Sequence, residues 1–162
     1  MNGWLIVILA SAATLVDQMT KAAILSFIPP GTAVSILPGF NLKLSFNEGS
    51  SFGMLSGTME GRPLLMAALT GALTLILTIM AFRARHPLER VGFALIVGGS
   101  SGNIIDRLRQ GAVTDFLDLY WRDWHWPTFN VADIAITSGA LLILLAAFPS
   151  RHPKEPVHDQ FR

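Results

Sequence analysis

"PLLMAALTGALTLILTIMAF", residues 63–82, runs for 20 positions without a charged side chain, and Arg62 and Arg83 bracket it. A helix of about 20 mostly apolar residues crosses the hydrocarbon core of a bilayer, whereas no soluble core requires so long an uncharged run. Lipid is therefore the expected solvent for this segment. Three further stretches fit the same length: "GWLIVILASAATLVDQMTKAAIL" at 3–25, a segment from about 88 to 108, and "NVADIAITSGALLILLAAF" at 130–148. Only 14% of the chain is charged, against about 25% in soluble domains, too little to coat a water-facing surface. The pattern predicts an all-α membrane protein: a four-transmembrane-helix bundle forming one domain over residues 1–150, with a tail at 151–162. "ASAA" in the first segment resembles a signal-peptide cleavage site. No Lys or Arg precedes that apolar run, however, and its helical character continues past the site, so it is read as a retained helix.

Basic residues set the orientation. Arg83, Arg85 and Arg90 lie in the short connection between helices two and three, and Arg151, Lys154 and Arg162 lie in the tail. Both regions belong on the cytoplasmic side, with both termini, so the connections at about 26–62 and 109–129 face outward. Pro29-Pro30-Gly31 ends the first helix. "SILPGFNLKLSFN" then alternates with a period of two, which puts Leu42, Leu44 and Phe46 on one face of a strand. "VTDFLDLYWRDWHW" at 113–126 is also rich in strand formers. Trp121, Trp124 and Trp126 suit the headgroup level. A small extracytoplasmic β-sheet resting on the outer leaflet is expected.

An ionisable group inside a spanning helix is costly and normally faces a partner or a water-filled site. Asp17 and Lys21 are four apart on helix one; Ser100, Asn103 and Arg107 form a stripe on helix three with Asp106 beside it; Asn130 and Asp133 open helix four. On this topology all lie toward the outer ends of their helices. Each also has a structural reading. Asp17 and Lys21 make an ion pair within a bundle, and Asn130 with Asp133 makes an N-cap. Arg107 snorkels to the interface, Asn47-Glu48-Gly49 is a turn, and Asp118 and Asp123 face solvent. Their convergence at one depth is what points to a site.

Several chemistries are disfavoured. Cysteine is absent, which removes disulfides and thiol catalysis. A net charge of +1 gives no basic face for nucleic acid. "GGSSG" at 98–102 contains the Gly-x-Ser-Gly pattern of rhomboid proteases. Yet His86, His125, His152 and His158 all lie outside the spanning segments, and small residues at a helix crossing explain that stretch better. No His-x-x-x-His pair suggests a metal. Two carboxylates remain: an aspartate pair sharing one proton can hydrolyse a peptide, because close like charges raise one of the two pKa values. Asp133 is one member, and Asp106, Asp115 or Asp118 could be the other. A proton-coupled transporter using Asp17, Asp106 and Asp133 would favour carboxylates at the midplane and an internal repeat, and neither is visible. A non-catalytic adaptor has no use for paired acids.

Five stretches in order, "DQMTKA" (17–22), "NEGSSFG" (47–53), "GNIIDR" (102–107), "VTDF" (113–116) and "FNVAD" (129–133), resemble the sequence blocks of the lipoprotein signal peptidase (signal peptidase II) family. Asn47, Gly49, Ser51 and Phe52 fit the second block, with Ser51 where many members have alanine. The resemblance implies a membrane aspartyl endopeptidase that removes the signal peptide from diacylglyceryl-modified prolipoproteins, cutting just before the lipidated cysteine. It implies a catalytic dyad of Asp115 and Asp133, one acid activating water and the other polarising the scissile carbonyl. It also implies that Asp17, Lys21, Asn47, Gly49, Asn103, Asp106, Arg107, Asn130 and Ala132 shape the site or hold the substrate. By the same resemblance no metal or organic cofactor is used, globomycin inhibits, and the enzyme sits in the bacterial inner membrane with its site at the outer face. A monomer is expected, with the segment after Asn47 as a lid over the dyad.

Overall fold

The computed structural model describes residues 2–49 and 62–148, so the expectations about Ser51, Phe52, the basic tail and, beyond residue 49, the lid after Asn47 lie outside the described residues. The elements run α1 (Gly3–Phe27), β1 (Ala33–Leu37), β2 (Phe40–Asn47), α2 (Pro63–Arg83), α3 (Pro87–Gln110), β3 (Val113–Trp121), β4 (Trp124–His125) and α4 (Val131–Ala147). The four expected helices and the small sheet are present within a few residues of their expected bounds. By length and composition α1 and α2 are able to cross a bilayer; α4 is apolar but has 17 residues.

Polarity runs inside out. The largest fully buried side chains are Asn130, Thr114, Asp17, Asp115 and Asp118, while Leu64, Leu75, Ile76 and Leu144 stand more than half exposed. Water would penalise that arrangement; a hydrocarbon surround favours it.

Helix α3 is the hub, packed against α1, α2 and α4. It starts on Pro87 and stops at Gly111, which adopts the left-handed conformation (φ 82°) and returns its N–H to the Arg107 carbonyl. The small residues of "GGSSG" serve close approach, as expected for helices packing in lipid. A methyl group on Gly98 would strike the backbone of Ala10, one on Gly99 the carbonyl of Ala132, and one on Gly102 the carboxylate of Asp17. Gly92 and Gly139 face each other's carbonyls in the same way. Gly102→Ala is therefore expected to cost about 1–3 kcal/mol by overpacking. A thermal unfolding midpoint in detergent that matched the parent protein would contradict this.

The strands form one antiparallel sheet in the order β1-β2-β3-β4. A Pro38-Gly39 turn joins β1 to β2, with Gly39 at φ 88°, the positive φ a type II turn requires after proline. The alternation expected in β2 holds only for its first half. Leu42 pairs with Leu117 but Ser45 pairs with Asp115, so Lys43 and Leu44 together oppose Phe116. This bulge shifts the face presented by the strand. Leu44 is buried and Phe46 stands 48% exposed, while Asn47 joins the face that carries Asp115. Phe46 therefore does not share the inward face, as strict alternation predicted.

Candidate active site

Strand β3 and the start of α4 bring the carboxylates together. Side chains alternate along a strand, so Val113, Asp115 and Leu119 face the cavity, and the even-numbered Thr114 and Asp118 face away. Asp118 is the correction to the sequence reading: it is 1% exposed, not solvent-facing. Its carboxylate accepts from Asn41 Nδ2 at 3.0 Å and meets His125 Nδ1 at 2.7 Å. Burial alone would raise that carboxyl. The hydrogen bonds from His125 and Asn41, with the charges of His125 and Lys43, outweigh it and hold the group below the ordinary carboxylate value. Asp118 ties β2, β3 and β4 together and takes no part in the cavity.

Asn130 joins the two remaining acids. Its side-chain Nδ2 donates to Asp115 Oδ1 at 2.6 Å, and its backbone N–H donates to Asp133 Oδ2 at 3.2 Å. The same residue caps α4, its Oδ1 accepting the Asp133 N–H at 3.0 Å in a reciprocal capping box. The cap expected from sequence is thus present, and it also positions both carboxylates. Asp115 Oδ2 accepts from Asn47 Nδ2 at 3.1 Å, and Asp133 Oδ1 accepts from Asn103 Nδ2 at 3.1 Å. Gly49, at φ 113°, donates its N–H to Asn47 Oδ1 at 2.9 Å, which fixes the turn that aims Asn47. The Asp115 carboxyl is pushed up to about 7. Burial is the main cause and the nearby charge of Asp133 the second; the Asn130 hydrogen bond and the charges of Lys21 and Arg107 oppose them.

Behind this pair lies a buried charge cluster. Lys21 Nζ reaches Asp17 Oδ2 at 2.9 Å, Asp106 Oδ2 at 2.8 Å and Asn103 Oδ1 at 2.9 Å, which engages all three ammonium donors. Asp17 Oδ1 accepts the Ala132 N–H at 2.9 Å, satisfying a donor in the first turn of α4. Asp106 accepts from Gln18 Nε2 at 2.9 Å and from the Thr114 N–H at 3.0 Å. It is committed to joining α1, α3 and β3. Of the three other acids weighed, Asp115 alone shares both Asn130 and the cavity with Asp133 among the described residues.

A cavity of about 760 Å³ opens over the pair. Of the residues singled out from sequence, Asn47, Gly49, Asn103, Arg107, Asp115 and Asp133 line it. Asp17, Lys21, Asp106, Asn130 and Ala132 are not among its lining residues and hold those that are. Arg107 Nη1 donates to the Asn103 carbonyl at 3.4 Å, and its buried Nε has no hydrogen-bond partner among the described residues. Sequence reasoning passed over Gln18, although it stands inside "DQMTKA". It also missed the wall residues Thr137 and Ser138, of which Thr137 follows Asp133 by one helical turn.

The family model described as Signal peptidase (SPase) II matches residues 9–149. Proteins named lipoprotein signal peptidase are similar along most of the chain. The one from Symbiobacterium thermophilum is 42% identical over 86% of this chain and 91% of its own length. The one from Yersinia pseudotuberculosis is 36% identical over 93% and 90%. Among solved structures, a bacterial membrane enzyme determined by the in meso method at 2.3 Å resolution superposes with a TM-score of 0.76 at 27% identity, covering 88% of this chain and 86% of that one.

Proposed function

Because the chain belongs to the lipoprotein signal peptidase (signal peptidase II) family, whose members cleave lipoprotein signal peptides, we propose that it does so as an aspartyl endopeptidase. Its dyad is Asp115 and Asp133, and it cuts a prolipoprotein just before the diacylglyceryl-modified cysteine. The observation that carries this reading is Asn130, which hydrogen-bonds one carboxylate with its side chain and the other with its backbone at the wall of the cavity.

The chemistry follows from the environments of the two acids. Asp115, buried and pushed up to about 7, holds the shared proton and donates a hydrogen bond to the scissile carbonyl, which polarises it. The carboxylate of Asp133 takes the proton of the attacking water. As the tetrahedral intermediate collapses, a proton passes to the departing amine and the pair returns to its starting state. Asn47 and Asn103 keep each acid oriented, and the Lys21 cluster fixes α1, α3 and the start of α4 around them.

The enzyme is a membrane-bound bacterial protein. In our reading it crosses the membrane four times as one domain, with both termini cytoplasmic and the cavity at the outer face. It works as a monomer, meets its substrate from the lipid, and is blocked by globomycin occupying the cavity.

The test is a pH profile of kcat/KM on purified diacylglyceryl-modified prolipoprotein in detergent. Activity is expected to fall as pH rises through about 7, because Asp115 then loses the proton it must donate. A profile level to about pH 9 would remove Asp115 from the role of acid.

A further inference from the structure

Below the dyad the cavity continues along α4 between Met66, Ile134 and Ile136, and two hydroxyls interrupt this apolar wall: those of Thr137 and Ser138. Several helical hydroxyls elsewhere in the chain close onto a carbonyl of their own helix. Thr14, Thr74, Thr78 and Ser101 each donate to the residue four positions earlier, at 2.7–3.0 Å. Thr137 and Ser138 make no hydrogen bond among the described residues. A hydroxyl left open on an apolar wall is free to meet a polar atom of whatever fills the cavity.

The geometry points to a subsite in which the Thr137 and Ser138 hydroxyls hydrogen-bond the ester carbonyls of the substrate's diacylglyceryl group. The inference rests on the peptidase reading above. Thr137 follows Asp133 by one turn of α4, a rise of about 6 Å on the same helix face. From the scissile bond, the cysteine side chain, its thioether and the glycerol carbon lead to the first ester over a comparable reach. Those esters are the only polar atoms between the peptide and the acyl chains. Two hydroxyl donors one turn below the dyad, with apolar walls around them, match that order of polar and apolar groups. Esters that leave water for this wall need donors, and along α4 the Thr137 and Ser138 hydroxyls supply them.

The test compares wild type with a Thr137→Val/Ser138→Ala variant in a detergent without ester groups. Two substrates are used: the diester-linked prolipoprotein and a diether analogue that lacks both carbonyls. On the diester, the variant's KM is expected to rise about tenfold, with kcat moving less than twofold, the loss of two neutral hydrogen bonds. On the diether the wild type should already show the raised KM, and the variant should match it. An equal penalty on both substrates would assign the hydroxyls to the peptide or to packing and overturn the proposal. No penalty on either would overturn it too. Failure of the dyad reading looks different: it would appear as cleavage by the Asp115→Asn enzyme, whichever lipid linkage is present.

Discussion

Asp115→Asn purified in detergent should bind lipidated prolipoprotein and cleave it at least about 10³-fold more slowly than the parent, and Asp133→Asn should do the same. Removing either the acid or the base of a pair that works as one unit costs nearly the whole effect of both. Both substitutions keep shape, and asparagine at position 133 can still accept the Asn130 N–H that closes the first turn of α4. Folding should therefore survive, and stability gives an independent reading of Asp115. Its carboxyl is held at about 7 against an ordinary 3.8. Between those values the folded chain keeps a proton that the unfolded chain has released. The contribution of the neutral acid is complete below about pH 4 and is lost as pH rises through about 7. The variant has no such proton to lose, so its unfolding midpoint relative to the parent should climb from about pH 5 to about pH 8. A constant difference across that range would mean that Asp115 titrates like an ordinary exposed carboxylate.

Lys21→Met carries the second large effect, and it is structural. Lys21 is 2% exposed and sits between Asp17 and Asp106, themselves 0% and 5% exposed. Removing the ammonium strands two buried carboxylates, and breaking a buried ion pair by deleting one partner costs about 3–5 kcal/mol. That is a large share of the stability of a domain of this size. The variant is expected to unfold at a clearly lower temperature in detergent and to accumulate poorly. Neutralising one carboxylate as well, in Lys21→Met/Asp17→Asn, should recover part of the loss, because the two changes share one interaction and do not add. A double variant no more stable than the single one would place the loss elsewhere than in unpaired charge.

The helices were legible because lipid imposes a simple compositional rule, and 63–82 obeys it without exception. The charged positions on α1, α3 and α4 were legible for the converse reason, since each violates that rule and so needs a partner. Which partner was not legible. Spacing along "VTDFLDLYW" could not choose between Asp115 and Asp118 until the direction of β3 was known, and strand parity then separates them. Asn47 was visible as a turn residue, but its reach to Asp115 depends on an extra residue in β2 that alternation alone does not reveal. Asp106 looked as available as Asp115 until its bonds to Lys21, Gln18 and Thr114 were seen. Thr137 and Ser138 read as ordinary interruptions of an apolar helix, because sequence does not say whether a hydroxyl has closed onto its own backbone.

The double use of Asn130 makes the first turn of α4 and the pair of acids one mechanical part. The atoms that stop the helix from fraying also set the direction of the carboxylates, so neither can drift without the other. Heat or a misfit ligand that pries open this turn would extinguish activity in one step while the rest of the bundle stayed intact. On the proposed dyad, activity is therefore expected to be lost on heating before the bundle melts, and inactivation that coincided with global unfolding would contradict this.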